Sequence, residues 1–257
     1  MHITSLQNPR IKALLRLRSH SRERRSGGLF LVEGVDEIEL AIAAGHRPTT
    51  TVCAPDFARR DLVNTEGERL TVNATIFRKL SVRENPDGWL ALFKRPTRTA
   101  DSLAFSRNPL LILMEAVEKP GNLGAILRTA DATRVDAVIV CDPRADLYSP
   151  NVVRASRGAL FSVPVVELSS ISALAFLRQR GIQVVAANPN AGEDYHRADL
   201  TGAIAIAMGT EDAGLSDMWL EQADIQVRIP MKGKINSLNV SVAAALVLYE
   251  ALRQRTS

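Results

Sequence analysis

LLILMEAVEKPGNLGAILRTADATRVDAVIVC, residues Leu110–Cys141, holds the pattern from which the fold is read. Leu110–Met114 and Ala137–Val140 are unbroken apolar runs of strand length. Between them Leu123, Ile126, Leu127 and Ala130 recur at helical spacing, which predicts a helix over Leu123–Thr133. The rhythm continues downstream. Strands are predicted at Val163–Val166, Gln183–Ala187, Ala203–Ala207 and Ile225–Ile229, and helices at Asn151–Ala155, Ile171–Gln179, Met218–Gln222 and Leu238–Leu252. Apolar strands alternating with helices make an α/β domain whose parallel sheet is covered on both faces.

Upstream the pattern is that of a smaller α/β unit. Helices are expected at Asn8–His20, Val35–Ala44 and Ala74–Leu80, with strands at Leu29–Val32, Thr49–Cys53 and Trp89–Phe93. KRPTRTADSLAFSRNP (Lys94–Pro109) has no clean period and is rich in Pro, Thr, Ser and Arg, which marks a linker. The reading divides the chain into residues 1–95, a linker at 96–108 and a second domain at 109–257.

The 257 residues are 46% hydrophobic and 23% charged, the balance of an ordinary globular protein. There is no apolar run long enough for a membrane span and no apolar signal core behind Met1, so a cytoplasmic protein is expected. Cys53 and Cys141 each end a β-rich run and lack the clustering of a zinc site, so buried free thiols and no metal are expected. The net charge of +4 is uneven: residues 1–107 carry +6 and residues 108–257 carry −2. Arg10 to Arg25 hold seven basic residues against Glu23 alone. Such an excess favours a polyanion, because phosphate contacts release condensed counterions, although a solvated helix face would look the same.

The glycine fingerprint that opens a dinucleotide-binding fold, G-x-G-x-x-G, is absent. Glycines cluster late instead, at Gly209, Gly214 and Gly233, so any cofactor site is built from the second half of the domain. Three polar stretches end apolar runs there: EKPGNLGAILRTA (Glu118–Ala130), AMGTEDAGLS (Ala207–Ser216) and IPMKGKINSLNVSVA (Ile229–Ala243). In the first, Asn122 is placed to cap the helix, and Arg128 lies off its buried stripe. In the second, Gly209 permits close approach of a ligand to the backbone, Gly214 permits a tight turn, and Ser216 is a helix cap. In the third, Ser237 is the cap of a helix apolar on nearly every side, as a core or subunit-interface helix would be. Each also reads as an ordinary capped corner.

Taken together, the three stretches resemble the SpoU class of RNA ribose 2′-O-methyltransferases, over residues 110–253. The resemblance implies S-adenosylmethionine as cofactor, a deep C-terminal trefoil knot and a homodimer. It implies catalytic roles for Asn122, Arg128, Glu211, Ser237 and Asn239, and cofactor contacts at Ala187, Asn188, Gly209, Ile229 and Leu238. The first hundred residues, through NPRIKALLRL and GLFLVEGVDEIELAIAAG, resemble the L30e-like substrate-binding extension of members that modify ribosomal RNA. The implied substrate is therefore 23S rRNA, with tRNA, or RNA binding without catalysis, as the alternatives. RNA contacts are expected from Arg10, Arg16, Arg18, Arg22, Arg24 and Arg25. A further stretch, NVVRASRGALFSVP, adds Arg154 and Arg157 as candidate RNA contacts, although a lone surface arginine would look the same.

Overall fold

A computed structural model describes residues 1–62, 67–210 and 212–256. The chain divides into two units: residues 1–97 with 146–162, and residues 98–145 with 163–257.

The first unit opens with β1 (His2–Ile3), α1 (Pro9–Ser19), α2 (Ser21–Gly27), β2 (Leu29–Glu33) and α3 (Val35–Ala43). It continues with β3 (Pro48–Cys53), β4 (Glu68–Val72), α4 (Ala74–Leu80) and β5 (Trp89–Lys94). Its sheet has the order β1-β4-β3-β5-β2, with β3 and β2 antiparallel to β5 and the other pairs parallel. α1 starts where Asn8 accepts the backbone N–H of Arg10 and Pro9 fills the first helical position. Ile11, Leu14 and Leu17 then point into a core with Leu31, Val52, Leu70 and Phe77. The strand β4 and the helix α2 are absent from the sequence reading. β4 brings only Leu70 and Val72 to the core, and SRERRSG has no apolar side chain at all.

The second unit contains β6 (Leu110–Glu115), α5 (Pro120–Ala132) and β7 (Ala137–Cys141). The chain then leaves it: α6 (Pro150–Ser156) and α7 (Ala159–Ser162) belong to the first unit. There follow β8 (Val165–Leu168), α8 (Ser170–Gln179), β9 (Gln183–Ala187), β10 (Glu193–Asp194), β11 (Ile204–Met208), α9 (Asp217–Gln222), β12 (Ile225–Arg228) and α10 (Val240–Thr256). All seven strands are parallel, in the order β10-β12-β9-β11-β6-β7-β8. β6 and β11, the central pair, are buried at nearly every position, which is why they read as continuous apolar runs rather than alternating ones.

Two expectations about organisation change. The stretch read as a linker contains a short 3-10 turn (Ala100–Ser102), and Leu103 is buried in the core of the second unit, with Phe105 packed against it. The second domain is also discontinuous, since residues 146–162 fold with the first unit. The tie is a buried ion pair. Arg24 donates through Nε to Asp146 Oδ2 at 2.7 Å and through Nη1 to the carbonyls of Leu17 and Arg18. Burying two charges is tolerable only with such pairing.

Candidate functional site

Three loops at the carboxyl ends of β9, β11 and β12 surround a cavity of about 350 Å³. Open parallel sheets place ligands at this edge. Ala187, Asn188 and Asn190 come from the first loop, Gly209, Thr210 and Leu215 from the second, and Ile229, Met231, Ser237 and Leu238 from the third. Val227, Leu220 and the first turn of α10 close the wall. All five residues expected to hold a cofactor are brought together here. Among the described lining residues Asp212 is the sole ionisable side chain, so the cavity offers amides, hydroxyls, backbone groups and apolar walls rather than a charge cluster.

Gly209 lines the cavity, and the fold gives its missing side chain a further reason. A Cβ on Gly209 would come within 2.2 Å of the backbone of Gly214 and Leu215, so the chain itself, folded back on itself, demands the missing side chain. Thr210 and Gly214 exchange backbone hydrogen bonds at 3.0 and 3.1 Å and pinch this loop shut. Gly214 takes φ +71°, which favours glycine. Glu211 lies outside the described residues.

The helix caps also differ. Lys119, with Pro120 after it, precedes the first turn of α5, and Asn122 sits inside that turn. Likewise the cap of α10 is Asn239, two residues beyond Ser237. Asn239 Oδ1 accepts the backbone N–H of Ser241 at 3.0 Å and its hydroxyl at 2.6 Å. Asn239 Nδ2 then donates to Asn122 Oδ1 at 3.0 Å, joining the first and third stretches. Ser216 precedes α9 but makes no side-chain cap; its N–H donates to Glu115 at 2.8 Å. Ser237 lines the cavity. Arg128 is exposed on α5, is not among the cavity-lining residues, and makes no hydrogen bond or ion pair with any described residue.

α10 is not buried on most sides. Val240, Ala244, Val247, Leu248 and Ala251 are buried where the helix packs on α5 and β11, while Val242 (48% exposed), Leu246 and Tyr249 (52%) face outward. Tyr195 joins them around a shallow groove.

Among the basic residues Arg16, Arg22, Arg25 and Arg154 are exposed and Arg18 is half-buried. Arg10 is paired with Glu68, and Arg154 donates to the carbonyl of Val82 at 3.2 Å. Arg24 is a correction. Its buried guanidinium is consumed by Asp146 and two carbonyls and presents nothing to a polyanion. Residues the sequence reading missed at the cavity, Thr210, Asp212, Met231 and Asn236, lie within or beside the quoted stretches. Leu220 and Val227 carry no signal beyond apolarity.

The SpoU rRNA methylase family model matches residues 109–249, and the MRM3-like substrate binding domain model matches residues 8–91. A 23S rRNA (uridine(2479)-2′-O)-methyltransferase of Streptomyces viridochromogenes is 33% identical, with 99% of this chain and 93% of that protein covered. A crystal structure of an RNA 2′-O ribose methyltransferase superposes with a TM-score of 0.89 at 43% identity, over 100% of both chains. The S. viridochromogenes SpoU methyltransferase AviRb, in complex with the cofactor AdoMet, superposes with a TM-score of 0.91 at 30% identity, over 98% of this chain and 99% of that one. The chain belongs to the SpoU rRNA methylase family.

Proposed function

We propose that this protein is an S-adenosylmethionine-dependent ribose 2′-O-methyltransferase acting on 23S rRNA. The observation that carries the reading is the cavity at the ends of β9, β11 and β12, in a chain that aligns almost end to end with a 23S rRNA 2′-O-methyltransferase. The cavity fits the cofactor chemically. Amides at Asn188, Asn190 and Asn236 and hydroxyls at Thr210 and Ser237 suit a nucleoside and an amino-acid tail, and Met208, Leu215, Leu220, Val227 and Leu238 supply apolar wall. When bound, the cofactor supplies an electrophilic methyl group on a sulfonium.

The chain's own residues do the rest. Asn239 and Asn122, linked to each other, hold the acceptor ribose, and orientation alone lowers the barrier substantially. Arg128 stabilises the negative charge that develops on the 2′-oxygen. A guanidinium is a poor base, so the proton leaves to the RNA or to solvent. Ser237 borders the same space, and Glu211 is assigned to the support of this loop. Arg16, Arg18, Arg22 and Arg25, with Arg154, contact RNA phosphates.

We place the active enzyme in a homodimer. Two facts support this: α10 exposes Val242, Leu246 and Tyr249, and Arg128 stands apart from its own chain's cavity, as a residue serving a partner's site would. The trefoil knot belongs to the same reading. The three loops wrap one cavity, and the chain then returns to the sheet through α10, whose Arg255 donates to the carbonyls of Asn108, Leu200 and Gly202. Two buried free thiols and an rRNA substrate suit the cytoplasm.

Incubation with labelled S-adenosylmethionine and separated 23S rRNA and tRNA tests the function. Label is expected in 23S rRNA, at a ribose 2′-position. Labelling of tRNA alone would establish the alternative substrate, and no labelling with no cofactor binding by calorimetry would overturn the reading.

A further inference from the structure

Gln226, on β12, lies between two of the segments that line the cavity, yet it does not line the cavity itself. Its Nε2 donates to the carbonyl of Leu220 at 2.8 Å. Its Oε1 accepts from Asn188 Nδ2 at 2.9 Å. Asn188 Oδ1 in turn accepts the backbone N–H of Asn190 at 3.0 Å. A carbonyl can only accept and an N–H can only donate. The two ends of this chain therefore demand the same amide orientations from opposite directions. Turning the Asn188 amide over would set its oxygen against Gln226 Oε1 and its NH₂ against the Asn190 N–H. Turning Gln226 over would set its oxygen against the Leu220 carbonyl.

The consequence falls on Asn188, which lines the cavity and is half-buried. One Nδ2 hydrogen goes to Gln226. The other has no acceptor among the described residues. Asn188 is held as a hydrogen-bond donor, and its backbone is fixed too, since its N–H donates to Val227 at 2.9 Å.

We propose that Gln226 is a positioning residue for cofactor binding. Acting through Asn188, it holds that amide as a donor toward an acceptor atom of the bound nucleoside, a ring nitrogen or a ribose hydroxyl oxygen. This inference rests on the cofactor reading given above. It ties α9, through the Leu220 carbonyl, to the polarity of the loop after β9. Gln226→Met keeps the length of the side chain and removes both hydrogen bonds.

The test is calorimetric titration of the full-length chain with S-adenosylhomocysteine, for Gln226→Met, Asn188→Ala and the double variant, beside methyl-transfer kinetics. Gln226→Met is expected to bind about 3- to 10-fold more weakly, the scale of one neutral hydrogen bond. The loss should fall on KM for the cofactor rather than on turnover at saturation. The double variant should bind no worse than Asn188→Ala, because Gln226 acts through Asn188. Unchanged binding by Gln226→Met, or fully additive losses, would overturn the proposal. Should Gln226→Met fail to fold, Asn188→Asp reads the same relay, since a carboxylate cannot donate to Gln226. Weaker binding is expected there, and unchanged binding overturns the proposal. A wild-type chain that binds no cofactor would instead overturn the methyltransferase reading.

Discussion

Asn239 Nδ2 donates to Asn122 Oδ1 at 3.0 Å, a bond between residues 117 positions apart. Its direction is set on one side by α10. The Ser241 N–H needs an oxygen, so Asn239 turns its oxygen to the helix and its NH₂ to Asn122. One side chain thus starts the last helix and orients the first catalytic candidate. Asn239→Ala is expected to lose both functions. The cap contributes about 1 kcal/mol, a fall in Tm of about 2–4 °C in a chain of this size, and methyl transfer should fall with it. Asn239→Asp separates the two: a carboxylate still caps the helix but sets an oxygen against Asn122 Oδ1. Thermal unfolding should recover in Asn239→Asp while transfer stays low. Recovery of both would remove the Asn122 contact from the mechanism.

The Arg24–Asp146 pair, with side chains 5% and 6% exposed, fastens residues 146–162 into the first unit. Removing one partner leaves a buried charge alone, which costs about 3–5 kcal/mol. Asp146→Ala is expected to shift denaturant unfolding by that amount, and Arg24→Met with Asp146→Leu by much less. Equal losses from the single and double changes would show that volume, not charge, sets the cost.

Burial pushes the Cys141 thiol up to about 12, helped by Asp142 and Glu115, and raises Cys53 as well. Neither should react with a disulfide reagent at pH 8 until guanidinium unfolds the chain. The raised value also has a sign. The neutral Cys141 thiol contributes stability that is whole below the ordinary thiol value near 9 and is lost as pH climbs from about 9 toward about 12. Cys141→Ala should therefore unfold less steeply with pH across that window than the parent protein. Parallel curves would assign alkaline unfolding to other groups.

Much of this was legible in the chain because burial leaves a period. β9 and α4 begin and end where the apolar pattern says, and the cofactor candidates meet because they lie at the ends of β9, β11 and β12 or in the loops that follow. What was not legible is three-dimensional bookkeeping. Asn122 and Ser237 both stand where the sequence expects a cap, and only the fold passes the cap of α10 to Asn239 and leaves Asn122 inside the first turn of α5. Arg24 looked like its neighbours, because nothing local announces that Asp146 will meet it. At Gly209 the sequence offers room for a ligand, but nothing local announces that Gly214 and Leu215 also need its space. The excursion of residues 146–162 left no trace in period or composition.

With Arg24 buried and Arg10 paired with Glu68, four of the expected arginines of α1 and α2 remain for RNA: Arg16, Arg18, Arg22 and Arg25. Replacing all four with Ala is expected to flatten the salt dependence of RNA binding by at most about 3–4 in log–log slope, near 0.9 per phosphate contact on duplex. Cofactor affinity should be untouched. An unaltered slope would show a merely solvated face.

Arg128→Ala should abolish methyl transfer while leaving the fold and cofactor binding nearly intact. The side chain is exposed on α5, off the buried stripe of Leu123, Ile126 and Leu127, so its loss opens no cavity in the core. No described residue pairs with it, so no described partner is stranded either. Its proposed interaction is with charge that develops on the 2′-oxygen during transfer, and the loss should therefore appear in turnover more than in binding. Removing a comparable charge-stabilising donor costs at least about 10²-fold in rate. Arg128→Lys should rescue poorly, because an ammonium lacks the planar fork of the guanidinium. Single-turnover transfer of labelled methyl to rRNA is the measurement. Near-parental turnover in Arg128→Ala would return the residue to an ordinary surface charge, and the proposed transition-state contact would have to come from another group.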